Sequence, residues 1–394
     1  MSDEPVRVNV CIRKIAFGDG VGGMERAAVR HIEGMLATGL TVRLYTAAET
    51  LQGIVPPGVE VVDVPWPFGL STGGGPTFGL AYWLWVQRLR ESIALSDRYR
   101  EILHLHGAAA GVLDGSGRFA AARTVVNPHG LEAFGSFSLK RVPNRVFLRR
   151  LARKGRFADR IIATDELLAP VISRHVGCSA SRIECIVNAV DLAPLSTVPP
   201  MQEPDRKDIK IVTVGRLVRN KGYDLLLDAL KNPAVRAALP ARWEWVHFGD
   251  GAMADELVAK ARVEPVVTLS ILRGRSDDEV RSTLADADFF VQPSRFEGSS
   301  LTTLEAMAHG RVIVACAVGG IPNKISEGVT GYLASTPTSS EISNALVRAI
   351  RKPTTGAAAA RLVREKYGAK TEKERYLALY RTIFLDRESE RTYS

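Results

Sequence analysis

The sequence predicts an α/β protein made of two doubly wound domains in succession, facing a central cleft. Three observations lead there. Short apolar, β-rich runs alternate with runs at helical spacing along the 394 residues. Glycines follow many of the β-rich runs, as they do where a strand turns towards a helix beside a ligand. Between the halves, residues 196–208 read STVPPMQEPDRKD, a polar, proline-rich stretch suited to a linker. The length suffices for two cores, so the expected division is a first domain over 1–195, the linker 196–208, a second domain over 209–370 and a last helix over 371–394.

Composition narrows the class. An apolar fraction of 46% and a charged fraction of 24% are those of an ordinary globular protein. Cys11, Cys178, Cys185 and Cys316 have no paired spacing, which fits buried thiols in a reducing compartment and no disulfide or zinc framework. The opening MSDEPVRVNV lacks the basic start and apolar run of a signal peptide, and no stretch approaches the ~20 apolar residues of a spanning helix. A cytoplasmic protein is expected, one that visits the inner face of a membrane. The net charge of +9 and pI near 9.5 admit nucleic acid, an anionic membrane or a phosphorylated substrate as partner.

The first domain opens with a β-rich run over 6–12, a loop over 17–23 with Gly18, Gly20, Gly22 and Gly23, and then Met24, Ala28, Ile32 and Met35 at helical spacing. That order begins a Rossmann-like unit. The loop does not spell G-x-G-x-x-G with an acidic residue about 20 positions on, the dinucleotide fingerprint. Further strands are expected over 40–46, 59–64, 102–105, 123–126 and 159–163. Two of them end at His106-Gly107 and His129-Gly130, the end of an open α/β sheet at which ligands bind. His106 reads more readily as a structural core residue than His129 does. Trp66, Phe68, Phe78, Tyr82, Trp83 and Trp85 surround Gly73-Gly74-Gly75. They fit equally an acceptor surface, stacking on sugar or touching lipid, and a packed helix over 82–89.

Residues 140–156 hold Lys140, Arg141, Arg145, Arg149, Arg150, Arg153, Lys154 and Arg156 and no acidic residue. Arg145, Arg149, Arg153 and Arg156 fall on one helical stripe, with Phe147, Leu148 and Leu151 on another. That is a basic amphipathic helix at an anionic surface, or a solvated face whose arginine stems cover the core. No helix-turn-helix, zinc-finger or RNA-recognition signature accompanies the charge, so nucleic acid is not an expected partner.

The second domain starts with a strand over 209–214, then Gly215-Arg216-Leu217 and, shortly after, Lys221-Gly222. Two cations beside a strand-end glycine can neutralise a diphosphate, the guanidinium as a fork and the ammonium as a point charge. Strands over 243–248 and 266–272 run into Gly249-Asp250-Gly251 and Arg273-Gly274. The most informative stretch is 291–307, VQPSRFEGSSLTTLEAM. A buried strand over 286–291 stops at Pro293-Ser294; Gly298, Ser299 and Ser300 then offer a helix N-cap, and Leu301, Leu304 and Met307 line one side of the helix. Such an N-terminus gathers free N–H groups and the positive end of the helix dipole, and binds phosphate. Glu297 sits just before it and Glu305 more than a turn inside. A phosphate site flanked by two acceptors that cannot bind phosphate suits a nucleoside diphosphate sugar. A strand over 312–315, a tight loop at Gly319-Gly320-Ile321-Pro322, and a capping box of Thr371 and Glu374 opening the last helix complete the chain.

Pro293-Ser294, Glu297-Gly298, Leu301 and Glu305-Ala306-Met307-Ala308 together resemble the motif of family 4 retaining glycosyltransferases, in which two glutamates separated by seven residues hold the nucleotide sugar. The resemblance covers nearly the whole chain and is strongest over 209–333. It implies the GT-B architecture, two Rossmann-like domains with the last helix crossing back to the first. It also implies roles: Glu297 on the donor sugar, Glu305 on the ribose, Arg216 and Lys221 on the departing diphosphate, and Arg273-Gly274 in the nucleobase loop. Gly22-Gly23-Met24-Glu25 resembles the family's first loop, and His129 in Asn127-Pro128-His129-Gly130 its active-site histidine. Residues 183–191, IECIVNAVD, resemble the closing Asn-Gly-Val-Asp, with Ala189 where glycine is usual. Arg311 stands in place of a proline and Asn323 in place of an acidic residue.

The implied activity is sugar transfer, with retained anomeric configuration, from a UDP- or GDP-sugar to an acceptor hydroxyl of a lipid-linked or polysaccharide-precursor saccharide. The implied catalytic set is His129, Glu297, Arg216 and Lys221. Donor contacts would come from Gly22, Gly23, Gly215, Arg216, Lys221, Arg273, Gly274, Glu297, Gly298, Ser299, Ser300, Leu301 and Glu305. The nucleotide sugar is a co-substrate, so no cofactor is expected. No metal is expected either, there being no Asp-x-Asp motif. A GT-B nucleotide-sugar epimerase and a non-catalytic sugar-nucleotide module are the alternatives. The first needs an eliminating base and carboxylates in the first domain, and the second would be expected to lack Arg216, Lys221 or Glu305.

Overall fold

The computed structural model describes residues 4–18, 22–70, 77–129, 142–192, 208–263 and 267–392. They form two compact units, Met1–Val187 with Glu372–Ser394, and Asn188–Thr371. The first unit therefore closes at Val187 and not at residue 195. Asn188 to Leu192 go with the second, where Val190 is bridged to Gly368 and exchanges backbone hydrogen bonds with Tyr367 and Ala369. Most of the expected linker, and with it Gly20, Gly73-Gly74-Gly75, Gly130, Lys140 and Arg141, lies outside the described residues.

In the first unit the strands are β1 (Val6–Cys11), β2 (Ile15–Phe17), β3 (Thr41–Thr46), β4 (Leu51–Gly53), β5 (Val59–Asp63), β6 (Arg100–His106), β7 (Arg123–Asn127), β8 (Arg160–Ala163) and β9 (Ile183–Cys185). Seven of them build one parallel sheet in the order β5-β3-β1-β6-β7-β8-β9. The small parallel pair β2-β4 has no counterpart in the sequence reading. A parallel sheet is covered on both faces, which is why Val8, Val10, Leu103 and Leu105 are all fully buried. On one face pack Trp85, Val86 and Leu89 of the helix Phe78–Ser92. On the other pack Ala28, Ile32 and Met35 of the helix Gly23–Leu36, with Tyr376, Leu379, Tyr380 and Ile383 of the last helix. Burying each of the larger aliphatic ones, such as Val86, Leu89, Ile32 and Met35, stabilises by roughly 1.5–3 kcal/mol.

Three details of this unit correct the sequence reading. The last helix begins at Ala369, so Thr371 lies inside its first turn and forms no capping box with Glu374. Tyr82 and Trp85 are core, and Trp66 is buried beside them with its ring 5.8 Å from that of Tyr82. Of the six aromatics, Phe68 and Trp83 are exposed and the others are buried or half-buried, so the packed helix is present and two aromatics remain on the surface beside it. The basic helix runs over Val142–Arg153, and Arg156 falls in the 3-10 turn beyond it, off the expected stripe. Its Leu148 and Leu151 pack into the core against the helix Phe78–Ser92. Asn144 approaches that helix so closely that a Cβ on Gly79 would lie 2.6 Å from Asn144 Cα.

The second unit has β10 (Asp208–Val214), β11 (Arg242–Phe248), β12 (Leu269–Leu272), β13 (Phe289–Gln292), β14 (Val312–Cys316) and β15 (Tyr332–Ala334), in the parallel order β12-β11-β10-β13-β14-β15. The chain enters at β10, fills one side, and returns to pair β13 against the other edge of β10. The crevice between β10 and β13, at their carboxyl ends, is the switch point at which open sheets bind ligands.

Candidate active site

Two loops leave the sheet at that switch point. After β10 comes Gly215, at φ +147°, a conformation side chains rarely adopt. Its position is pinned from behind by a chain of buried hydrogen bonds. Trp245 Nε1 donates to Thr213 Oγ1 (2.8 Å), the Thr213 hydroxyl donates to His247 Nδ1 (2.8 Å), and His247 Nε2 donates to the Gly215 carbonyl (3.0 Å). This order gives every member one role and fixes the tautomer. Burial lowers the His247 pKa to about 4, so the ring is neutral at physiological pH. Arg216 follows, exposed on the loop.

The chain then makes one 3-10 turn, Arg219–Lys221, and reverses at Gly222 with φ +71°. A Cβ there would lie 1.9 Å from the Pro293 carbonyl oxygen, so only glycine lets this loop meet the one after β13. Arg295 locks the two together. Its guanidinium makes a fork on Asp224, with both N···O distances 2.7 Å, and also donates to the Arg219 carbonyl at 2.7 Å. Although burial pushes the Asp224 pKa up, the Arg295 fork holds it below the usual carboxylate value.

The loop after β13 carries Glu297, which is buried. Its Oε1 accepts three hydrogen bonds, from Lys221 Nζ (2.7 Å), Gln292 Nε2 (2.7 Å) and Ser294 Oγ (2.6 Å). None of the three engages Oε2. Lys221 and Glu297, 76 positions apart, thus meet through the contact that Gly222 permits. Gly298 accepts from the Gly320 N–H at 2.8 Å, and a Cβ on Gly319 would lie 2.0 Å from the Glu297 carbonyl oxygen, so the Gly319-Gly320 loop closes over this turn. Ser300 caps the helix Leu301–Ala308 by accepting from the Thr303 N–H. Ser299 Oγ is buried with no partner among the described residues. Glu305 is half-buried on the helix. Arg273 pairs with Asp250 (3.3 Å) and Asp255 (3.6 Å), next to Gly274 at φ +61°.

Lys221 and Glu297 are therefore joined directly, Gly298 to Leu301 follow Glu297 into the capped helix that holds Glu305, and Gly215 with Arg216 leads the loop that holds Lys221. Arg295 and His247 went unread in the sequence because their partners are distant in the chain, and Gln292, although five residues from Glu297, carries no spacing signal of its own; Ser294 was read as motif but not as a donor to Glu297. Arg311, which departs from the family pattern, donates to the carbonyls of His309, Ala285 and Ala287 and so closes off the helix Asp277–Asp286 away from Glu297.

The remaining expected residues belong to the first unit. Gly22 is the N-cap of the helix Gly23–Leu36, and Gly23 its first residue. His129 has φ +54°, its backbone N–H donates to Asn127 Oδ1 (3.0 Å), and its Nε2 lies 2.9 Å from His106 Nδ1. Burial lowers its pKa to about 4. His31, His104 and His106 cluster behind it and are the one group among the described residues arranged so that a metal ion could be held. No helix among the described residues is long and apolar enough to cross a membrane.

A profile described as Glycosyl transferases group 1 matches residues 208–352, and one described as Glycosyltransferase Family 4 matches residues 21–194. A D-inositol 3-phosphate glycosyltransferase of Mycobacterium sp. (strain JLS) is 29% identical over 339 residues, 79% of this chain and 74% of its own. That of Mycobacterium avium (strain 104) is 28% identical over 91% of this chain and 88% of its own. Among solved structures, sucrose-phosphate synthase from Thermosynechococcus elongatus superposes with a TM-score of 0.76 at 17% identity, over 97% of this chain and all (100%) of its own. The Anabaena protein HepE, solved with UDP and glucose, gives 0.69 at 19% identity, over 96% and 100%. The two profiles take in both units, and with them the chain belongs to the family 4, group 1 glycosyltransferases of the GT-B fold.

Proposed function

We propose that the protein is a retaining hexosyltransferase that moves a sugar from a nucleoside diphosphate, UDP or GDP, to an acceptor hydroxyl without a metal at the donor site. The observation that carries this reading is the meeting of Lys221 with Glu297 beside Gly215-Arg216 and the Ser300-capped helix. An ammonium has three N–H donors, so the bond to Glu297 leaves Lys221 two for a phosphate. Arg216 supplies a fork, and the helix N-terminus supplies free N–H groups. Fixed cations of this kind stabilise the negative charge that grows on the leaving diphosphate as the glycosidic bond breaks. The three donors on Glu297 Oε1 hold the carboxylate still, and Oε2 is the oxygen to accept from a sugar hydroxyl. Glu305 would serve the ribose, the Arg273-Gly274 loop the base, Gly22 and Gly23 the diphosphate from their own loop, and His129 the sugar through Nδ1, since Nε2 is taken by His106.

The acceptor we favour is a lipid-linked saccharide of an envelope polymer, used at the inner face of the membrane and drawn there by the basic helix. The mycobacterial relatives are named for D-inositol 3-phosphate, so a small phosphorylated acceptor is the competing choice. Incubation of UDP-, GDP- and ADP-sugars with lipid-linked and phosphorylated acceptors, with the product anomer read by NMR, tests the reading. Inverted product, or donor epimerised without transfer, would overturn it.

A further inference from the structure

Four of the seven histidines converge at the switch point of the first unit, between β1 and β6. Strand periodicity puts His104 and His106 on the same face of β6, their rings stacked at 4.7 Å and 13°. His31 reaches them from the helix Gly23–Leu36, its ring centroid 4.4 Å from that of His104. Tyr376 and Tyr380, a turn apart on the last helix, close the cluster. All three histidines are buried.

Each of the three rings spends one nitrogen on a neighbour. His104 Nδ1 is 2.6 Å and His31 Nε2 is 2.7 Å from the Tyr380 hydroxyl, and His106 Nδ1 is 2.9 Å from His129 Nε2. The other three nitrogens, His31 Nδ1, His104 Nε2 and His106 Nε2, are buried with no hydrogen-bond partner among the described residues. One unpartnered buried polar atom costs on the order of 1–3 kcal/mol, so three facing one small space call for an occupant there, an ion or water. One potential ligand atom from each of the three side chains lies within 4.8 Å of the others.

We propose that His31, His104 and His106 bind a divalent first-row transition ion, zinc by preference, as a structural site. Imidazole nitrogen suits such ions, and Zn–N bonds of about 2.0–2.1 Å need nitrogens about 3.4 Å apart with each lone pair aimed at the ion, so binding requires the stacked rings of His104 and His106 to turn out of their parallel arrangement. The ion takes three lone pairs, so the opposite nitrogens carry the protons. His106 then donates to His129, and His31 and His104 both donate to Tyr380, whose oxygen accepts two. One phenolic proton is left to place in exchange for three orphaned nitrogens. Such outer partners are what a metal-bound histidine ordinarily has. The fourth position falls to water. The ion ties the helix Gly23–Leu36 to β6, and it bears on the donor only through the tautomer of His129, which it fixes by way of His106.

The full chain, unfolded with chelator and refolded with Zn²⁺ or Co²⁺, should retain about one ion per chain after desalting, with cobalt showing the visible bands of a nitrogen-ligated tetrahedral site. His31→Asn, His104→Asn and His106→Asn, each checked by circular dichroism for the native fold, should each lose the ion and the bands, and His309→Asn should keep both. Wild-type chain that refolds without retaining either ion would overturn the proposal and leave the space to water. Ions retained by all three cluster variants, or lost only by variants that fail to fold while a folded one keeps the bands, would overturn it too.

Discussion

Arg216 and Lys221 carry the charge argument for leaving-group stabilisation, so each is expected to be worth about 2 kcal/mol of transition-state binding, or ~30-fold in kcat/KM, when cut to alanine. Turnover near wild type in both variants would show the phosphate site to be misread. His247 makes a different prediction, on stability. Its folded pKa is about 4 and its ordinary value 6.5, so the folded ring resists protonation more than the unfolded one. Above pH 6.5 both states are neutral and nothing is lost. As pH falls below that value the unfolded chain takes up the proton first, and the share of stability carried by this ring falls by about 1.6 kcal/mol between pH 6.5 and 5, beside like losses at the other buried histidines. Urea titrations at the two pH values should show that drop reduced in His247→Asn; an identical drop in the variant would refute the assignment. Legibility at this scale depended on neighbours in the chain. Glu297, Gly298 and the serines could be read because their meaning lies in local spacing. The Trp245–Thr213–His247–Gly215 chain and the Arg295–Asp224 fork could not, because strand pairing and loop contact bring their members together.

At the scale of elements, the basic helix Val142–Arg153 shows what periodicity leaves open. Its pattern fits a helix lying on lipid and a helix lying on protein equally well, and Leu148 and Leu151 are spent on the core. Those two side chains are therefore not available to insert into lipid, and attraction of this helix to a membrane rests mainly on charge. Arg150, Arg153 and Arg156 are exposed, and each contributes on the order of 1 kcal/mol near an anionic surface, screened by salt. Co-sedimentation with vesicles containing anionic lipid should fall steeply with ionic strength and be lost on combined substitution of the three by glutamate. Equal binding to neutral vesicles, or none to either, would leave a solvated face and favour a soluble phosphorylated acceptor. Strand positions were legible to within a few residues because buried parallel strands are continuous apolar runs. The start of the last helix was misjudged for a related reason: Thr371 and Glu374 have the capping spacing, yet the helix begins at Ala369.

On the scale of the whole molecule, the two units repeat one construction. In each the chain enters at a central strand, fills one side, and returns to pair beside its starting point, which puts a switch point between β1 and β6 and another between β10 and β13. Alternation of strand and helix predicted that class, but the sequence alone did not spell the strand order or show that Asn188 to Leu192 pack with the second unit. The histidine cluster was invisible for the same reason, its members being scattered over a helix and a strand. Because the two units have separate cores, a ligand held by one is expected to stabilise that one first. A nucleoside diphosphate at 100 times its Kd adds about 2.7 kcal/mol to the state that binds it. Hydrogen exchange followed by mass spectrometry should then slow over residues 215–222 and 293–301, which hold Arg216, Lys221, Glu297 and the helix cap. The protection should be unchanged in excess EDTA, since among the described residues no metal-holding cluster lies in the second unit and the two cations can neutralise the diphosphate unaided. Protection that vanishes with the chelator and returns with magnesium or manganese would mean that the diphosphate is held through a metal, and that Arg216 and Lys221 do only part of the work assigned to them.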